Sequence, residues 1–190
     1  MIKDLEENIK LHKSLTSQLN EIKKIGNTLY SCYLKSGVIY TCGNGGSNSD
    51  AQHFTAELMV KYKLVRKPIP SICLTLDTST ITACSNDFNY NKLFSRNLEA
   101  LSNKNDILVV FSTSGNSPSI INSLKTAKRK GIITIGFLGR KKNSSQNLCD
   151  HTINIESGTV ARIQECHIFI IHLLCNFLDS KIRLGSTKTP

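Results

Sequence analysis

Apolar positions alternate between two spacings along this chain, and the alternation gives the order of elements. Leu5, Ile9, Leu15, Leu19, Ile22, Ile25, Leu29 and Tyr33 recur at helical intervals over residues 5–35, with Gly26 as the expected break between two helices. Short apolar runs at 38–40, 72–76, 107–111, 132–138 and 152–155 read as buried strands. Helical patterns lie between them at 49–62, 81–85, 92–101 and 117–130, and a final one runs from 160 to 179. Strands and helices in strict succession predict an α/β fold, a doubly wound parallel sheet with helices on both faces. Residues 1–35 read as an N-terminal helical segment suited to oligomerisation, 36–185 as one domain, and 185–190 as a loose tail.

Composition narrows the function classes. With 39% hydrophobic and 20% charged residues, the 190-residue chain is an ordinary folded protein. No apolar run reaches the ~18–20 residues that span a bilayer, and the charged start lacks a secretory core, so no membrane partner and a cytoplasmic location are expected. Seven cysteines include no C-x-x-C pair, and Cys42, Cys73, Cys84 and Cys175 lie in apolar segments as small hydrophobes, which argues against a disulfide scaffold. The net charge of +10 is dispersed over 23–24, 61–67, 125–130 and 140–142, and only 6% of residues are aromatic. That pattern points away from nucleic acid and toward attraction of a small anionic substrate.

Two stretches carry chemistry. In residues 41–57 a strand end runs through Gly43-Asn44-Gly45-Gly46-Ser47 into a helix that bears His53 and Glu57. Four residues apart, these two fall about 40° apart on one helix face, as a metal-capable or acid–base pair. In residues 111–118, Ser112, Thr113, Ser114 and Ser117 place four hydroxyls where a strand gives way to a helix opened by Pro118. Backbone N–H groups and the helix dipole make such a turn an anion site. No third glycine stands where G-x-G-x-x-G needs it and no G-K-[ST] occurs, so a sugar phosphate suits the loop better than a nucleotide.

The last helix is apolar nearly all round, and against that background Gln164 and His172 stand about 80° apart, two turns along one side. With His53 and Glu57 they could chelate a borderline metal or move protons between neighbouring sugar carbons. His12 and His151 read as surface residues, and His167, turned away from His172, as a contact to a neighbouring subunit.

The segments CGNGGSNSDAQHFTAEL, ACSNDF, FSTSGNSP and ARIQECHIFIIH occur in the order found in the sugar isomerase (SIS) domain superfamily. Nearly the whole chain resembles that superfamily, and within it the phosphoheptose isomerase family. The resemblance implies a single SIS domain and conversion of D-sedoheptulose 7-phosphate to D-glycero-D-manno-heptose 7-phosphate through an enediol. That would be the first step toward nucleotide-activated heptose. It further implies that Asn44, Gly45, Gly46, Ser47, Asn86, Asp87, Glu57 and Gln164 contact substrate and that Ser112, Thr113, Ser114 and Ser117 hold its phosphate. Glu57 and His172 would be the catalytic acid–base pair, and His53, Glu57, Gln164 and His172 would bind one zinc per subunit of a homotetramer. Two rivals share the fold: a non-catalytic protein that binds the replication initiator, and a sugar-phosphate sensor. The former lacks the equivalents of Glu57 and His172, both present here.

Overall fold

The computed structural model describes residues 1–190 except 76, 141 and 187–190. Five strands, β1 (Ile39–Gly43), β2 (Ser71–Cys73), β3 (Ile107–Ser112), β4 (Ile133–Leu138) and β5 (His151–Asn154), pair in parallel in the order β2-β1-β3-β4-β5. Among the described residues seven α-helices surround them: α1 (Ile2–Ser14), α2 (Leu19–Leu34), α3 (Gly46–Met59), α4 (Thr78–Asp87), α5 (Leu93–Leu101), α6 (Pro118–Lys130) and α7 (Val160–Ser186). Strand residues alternate between two cores, as a period of two requires. Ile39, Val109, Phe111, Ile135, Phe137 and Ile153 face α1, α2, α3 and α7, while Tyr40, Cys42, Leu108 and Val110 face α5 and α6. Each fully buried Leu or Ile of these cores contributes about 1.5–3 kcal/mol. The strand order turns back between β1 and β3, and ligands of such sheets bind in the crevice at that point, beyond the carboxyl ends.

The N-terminal helices break at a 3-10 turn, Leu15–Gln18, and not at Gly26. There the hydroxyls of Ser14, Thr16 and Ser17 each donate to the carbonyl three residues back, in competition with the helical ladder. Gly26 instead lies buried inside α2, where a Cβ would come within 2.6 Å of the Phe177 ring, so its role is close helix packing. Leu11, Ile22, Ile25 and Leu29 enter the same core as Ile170, Ile171 and Leu174 of α7, which joins residues 1–35 to the rest. Helix α3 begins three residues before the expected 49, because the glycine turn leads straight into it, and α7 continues past 179 to Ser186. The expected loose tail is thus helical at 185–186, and the rest of it lies outside the described residues. Strand β2 is shorter than 72–76, whose last residue is also outside them.

Three histidines differ from their expected surface positions. His167 is fully buried between Phe111 and Phe137, with Nε2 3.3 Å from the Leu138 carbonyl, so a contact to a neighbouring subunit is excluded. Burial pushes its pKa down to about 4, which keeps the ring neutral, and Nδ1 has no partner. His151 lies half-buried at the start of β5, with Nδ1 2.8 Å from a Glu21 carboxylate oxygen of α2. His12 packs edge-on against Phe169 of α7 at 5.1 Å. Periodicity could not reveal the partners of His151 and His12, since each is more than 100 residues away in the chain. All seven cysteines are free, and Cys42, Cys73, Cys84 and Cys175 are buried as expected. No described helix is long and apolar enough to cross a membrane.

Candidate active site

Strands β1 and β3 are neighbours, with Gly43 in register with Phe111, so the turns that leave them flank one crevice. On the β1 side Gly45 adopts φ 55° and ψ −127°, a conformation that side-chain-bearing residues rarely reach. At Gly43 a Cβ would collide with the Ser47 carbonyl at 2.3 Å, so the turn closes tightly onto the first residues of α3. Asn44 reaches across the crevice. Its Nδ2 donates to the Ser119 hydroxyl at the start of α6 (3.0 Å), and its Oδ1 accepts from the Tyr90 hydroxyl (2.7 Å).

The β3 turn is the loop expected to take an anion. Ser112 is buried and its Oγ accepts from the Gly115 N–H at 3.1 Å; the Ser114 Oγ accepts from the Asn116 N–H at 3.2 Å. These two hydroxyls brace the loop. Ser117 occupies the N-cap position of α6 without its hydroxyl capping the helix, so that hydroxyl is free to meet a ligand. Gly115 is required twice over: φ is +63°, and a Cβ would lie 2.2 Å from the Asn143 side chain. From below, the Ser145 N–H donates to the Gly115 carbonyl (2.9 Å) and the Ser144 N–H to Asn116 Oδ1 (2.9 Å), so residues 143–145 buttress the anion loop.

The acid–base and metal candidates lie at the α3–α7 interface. Ala51, Phe54 and Leu58 turn one face of α3 into the core, which leaves His53 and Glu57 on its flank. Cys166, Ile170, Ile171 and Leu174 do the same for α7, which turns His172 toward them. His53 Nε2 lies 3.0 Å from His172 Nε2 and 3.7 Å from Glu57 Oε1. Two ε nitrogens this close either share one proton between a donor and an acceptor ring, or aim two lone pairs at a common cation. The separation is near the ~3.3 Å edge of a tetrahedral zinc site with Zn–N of about 2.0–2.1 Å. The imidazole pair therefore fits zinc. Among the described residues no group of three His, Cys, Asp or Glu side chains is arranged to hold a metal as it stands, so Glu57 would have to turn to join the pair.

Gln164 sits at the entrance of α3, its amide packed on Gly46, where a Cβ would lie 2.5 Å from Nε2. Eight residues of helix, about 12 Å of rise, separate it from His172. Asn86 and Asp87, at the exposed end of α4, hydrogen-bond each other at 2.8 Å and touch none of these groups. Two residues escape a reading of the sequence. Asp50 is buried one turn before His53; burial pushes its carboxyl up to about 6, and its Oδ2 has no partner. Its place three residues before His53 is the signal that could have found it. Tyr62 stacks on His172 with ring centroids 5.6 Å apart and planes within 15°, and nothing in the sequence marks it.

Comparison with known proteins places the fold in a family. The family model described as SIS domain matches residues 6–139. Phosphoheptose isomerase 1 of Campylobacter jejuni is 44% identical over 177 residues, 93% of this chain and 95% of that protein. A solved phosphoheptose isomerase from Francisella tularensis superposes with a TM-score of 0.90 at 32% identity, covering 94% of this chain and 95% of the other. Phosphoheptose isomerase GmhA from Neisseria gonorrhoeae gives a TM-score of 0.88 at 33% identity, covering 94% and 96%.

Proposed function

The chain belongs to the SIS domain family and is an isomerase of its phosphoheptose branch, and from that premise we propose how it works on its sugar. The substrate is D-sedoheptulose 7-phosphate and the product D-glycero-D-manno-heptose 7-phosphate, the aldose from which nucleotide-activated heptose is built. One observation carries the reading. The chain carries an expected anion loop beyond β3 and, at the α3–α7 interface, a carboxylate beside two imidazoles. An open-chain sugar phosphate would meet both, its phosphate on the amides and hydroxyls of residues 112–117 and its carbonyl end toward α3 and α7.

In this scheme Glu57 removes a proton from C1 of the ketose, the electron pair forms the C1–C2 double bond, and the C2 carbonyl oxygen takes the negative charge of an enediolate. His172 moves a proton from O1 to O2 across the enediol. Glu57 then returns its proton to C2, leaving an aldehyde at C1, so atoms and charge balance with no co-reactant. Asn44, Gly45, Gly46, Ser47 and Gln164 line the approach to the reacting carbons, and Asn86 and Asp87 close over the substrate from α4. His53, Glu57 and His172 would hold one zinc per subunit, with Gln164, which stands two helical turns away at Gly46, joining them only by moving toward the pair, and bound zinc would polarise the sugar carbonyl.

The protein works in the cytoplasm as a homotetramer. In support of assembly, Ile2, Leu5 and Ile9 of α1 and Phe169 of α7 are apolar and exposed on the single chain. Incubation of the purified protein with sedoheptulose 7-phosphate, followed by NMR, tests the reading, and Glu57→Gln is expected to abolish the new aldose signals. Binding of the sugar without conversion would sink it. Elemental analysis of untreated protein and its mass by light scattering check the zinc and the tetramer.

A further inference from the structure

The basic stretch 61–67 finds no use in binding phosphate, yet it contains the most tightly held side chain near the site. The Arg66 side chain is 1% exposed, and its guanidinium is divided between two helices. Nε donates to Asp179 Oδ1 of α7 at 2.8 Å; Nη1 and Nη2 donate to the carbonyls of Leu58 (2.9 Å) and Glu57 (3.0 Å) in the last turn of α3. Those carbonyls end a helix, where a cation is favoured by both hydrogen bonding and the dipole. The other Asp179 oxygen accepts from the backbone N–H groups of Lys63 (3.0 Å) and Leu64 (2.9 Å). Burial alone would push the Asp179 carboxyl up, but the bonds from Leu64, Arg66 and Lys63 outweigh it and hold the group below its ordinary range. The result is one buried ion pair tying the end of α3, the loop and α7 together.

Tyr62, in that same loop, lies face-on against His172. His53 also meets the His172 ring, edge-on at 5.2 Å between centroids. His172 is thus held by a stacked ring from the loop and an edge-on ring from α3. We infer that Tyr62 is a positioning residue: carried on a strap that the Arg66–Asp179 pair clamps, it fixes the rotation of the His172 imidazole relative to Glu57. The strap touches neither Ser112, Thr113, Ser114 nor Ser117 among its hydrogen-bonded partners, so it acts on the reacting cluster and leaves the anion loop alone.

The inference rests on the isomerase reading, and two measurements keep them separable. In the full-length protein Tyr62→Leu is expected to lower kcat between about ten- and a hundredfold, the scale of a misplaced catalytic group, while the inhibition constant of inorganic phosphate stays within about twofold. Tyr62→Phe, which keeps the ring, is expected to recover most of the loss. Unchanged kcat in Tyr62→Leu overturns the proposal. So does a loss of kcat accompanied by weaker phosphate inhibition and a lower unfolding temperature, since that describes general damage. A parent protein that does not turn the sugar over would refute the isomerase reading alone. In that case the ring protons of His172, assigned by their loss in His172→Gln, decide the stacking. A downfield move in Tyr62→Leu, as the ring current is removed, supports it, and an unmoved signal overturns it.

Discussion

The expected anion loop takes Ser112, Thr113, Ser114 and Ser117 from one stretch of chain, stiffens itself with its own hydroxyls and rests on residues 143–145, so its candidate donors are all neighbours in sequence. The reacting cluster takes His53 and Glu57 from α3 and His172 from α7, 119 positions beyond His53. Its geometry exists only once both helices have packed on the same face of the sheet. The loop can thus lose a hydroxyl and keep its form, whereas the cluster depends on every contact that fixes one helix against the other. Binding and chemistry in this protein should therefore be separable by mutation, and four measurements press on that separation.

The largest effect is expected at Glu57. With Gln in its place the carboxylate base is gone while the anion loop is untouched. Turnover should fall by about 10²–10⁴, the usual weight of one acid–base group, with phosphate inhibition unchanged. If turnover survived, the cluster would not be the seat of the chemistry.

Arg66→Ala comes next, read as stability. It strands Asp179 and two helix-end carbonyls in a buried place, and breaking such a pair costs about 3–5 kcal/mol, measurable by urea unfolding. A loss under about 1 kcal/mol would mean that the clamp between α3 and α7 is not structural, since exposed pairs have that size.

His167 lies between the two regions, bonded to the carbonyl of Leu138 at the end of β4 and carried on the helix of His172. Its folded pKa is about 4 against an ordinary 6.5, so the neutral ring's contribution is fully present above pH 6.5. As the pH falls the unfolded chain takes the proton first, and on the order of 3 kcal/mol should be lost by about pH 4. His167→Phe should flatten that acid limb, seen as unfolding midpoints between pH 7 and 4. An identical limb in parent and variant would remove His167 from the account.

The smallest effect is expected at Ser117. Replacing it by Ala takes away one hydrogen bond to a charged phosphate, about 1.5–3 kcal/mol, and should weaken phosphate inhibition roughly ten- to a hundredfold with kcat retained. A variant that lost kcat but kept phosphate affinity would erase the division between the two regions.

Much of this architecture is legible in the residues themselves. The alternation of apolar runs gives the parallel sheet, because a strand buried on both faces must be apolar throughout, as Ile107–Ser112 nearly is. The pairing of His53 with Glu57 follows from helical pitch, and the glycine turns follow from backbone sterics. Other features lie out of reach of such patterns. That the Ser112 hydroxyl also braces its own loop is one, and His167 has the spacing of an interface residue but lies in the core. Gly26 has the composition of a helix break but is a packing notch for Phe177.

What the sequence by itself determined is what neighbours within a few residues govern: element type, the glycine turns, and the strip of α3 that presents an imidazole and a carboxylate. Only the tertiary structure decided which distant groups meet them, namely the 3.0 Å approach of His172, the stacked Tyr62 and the buried Arg66–Asp179 clamp. The physical reason is range. Backbone sterics and helical pitch act along the chain, whereas close packing and buried hydrogen bonds act across space, between residues whose separation in sequence carries no trace of their contact.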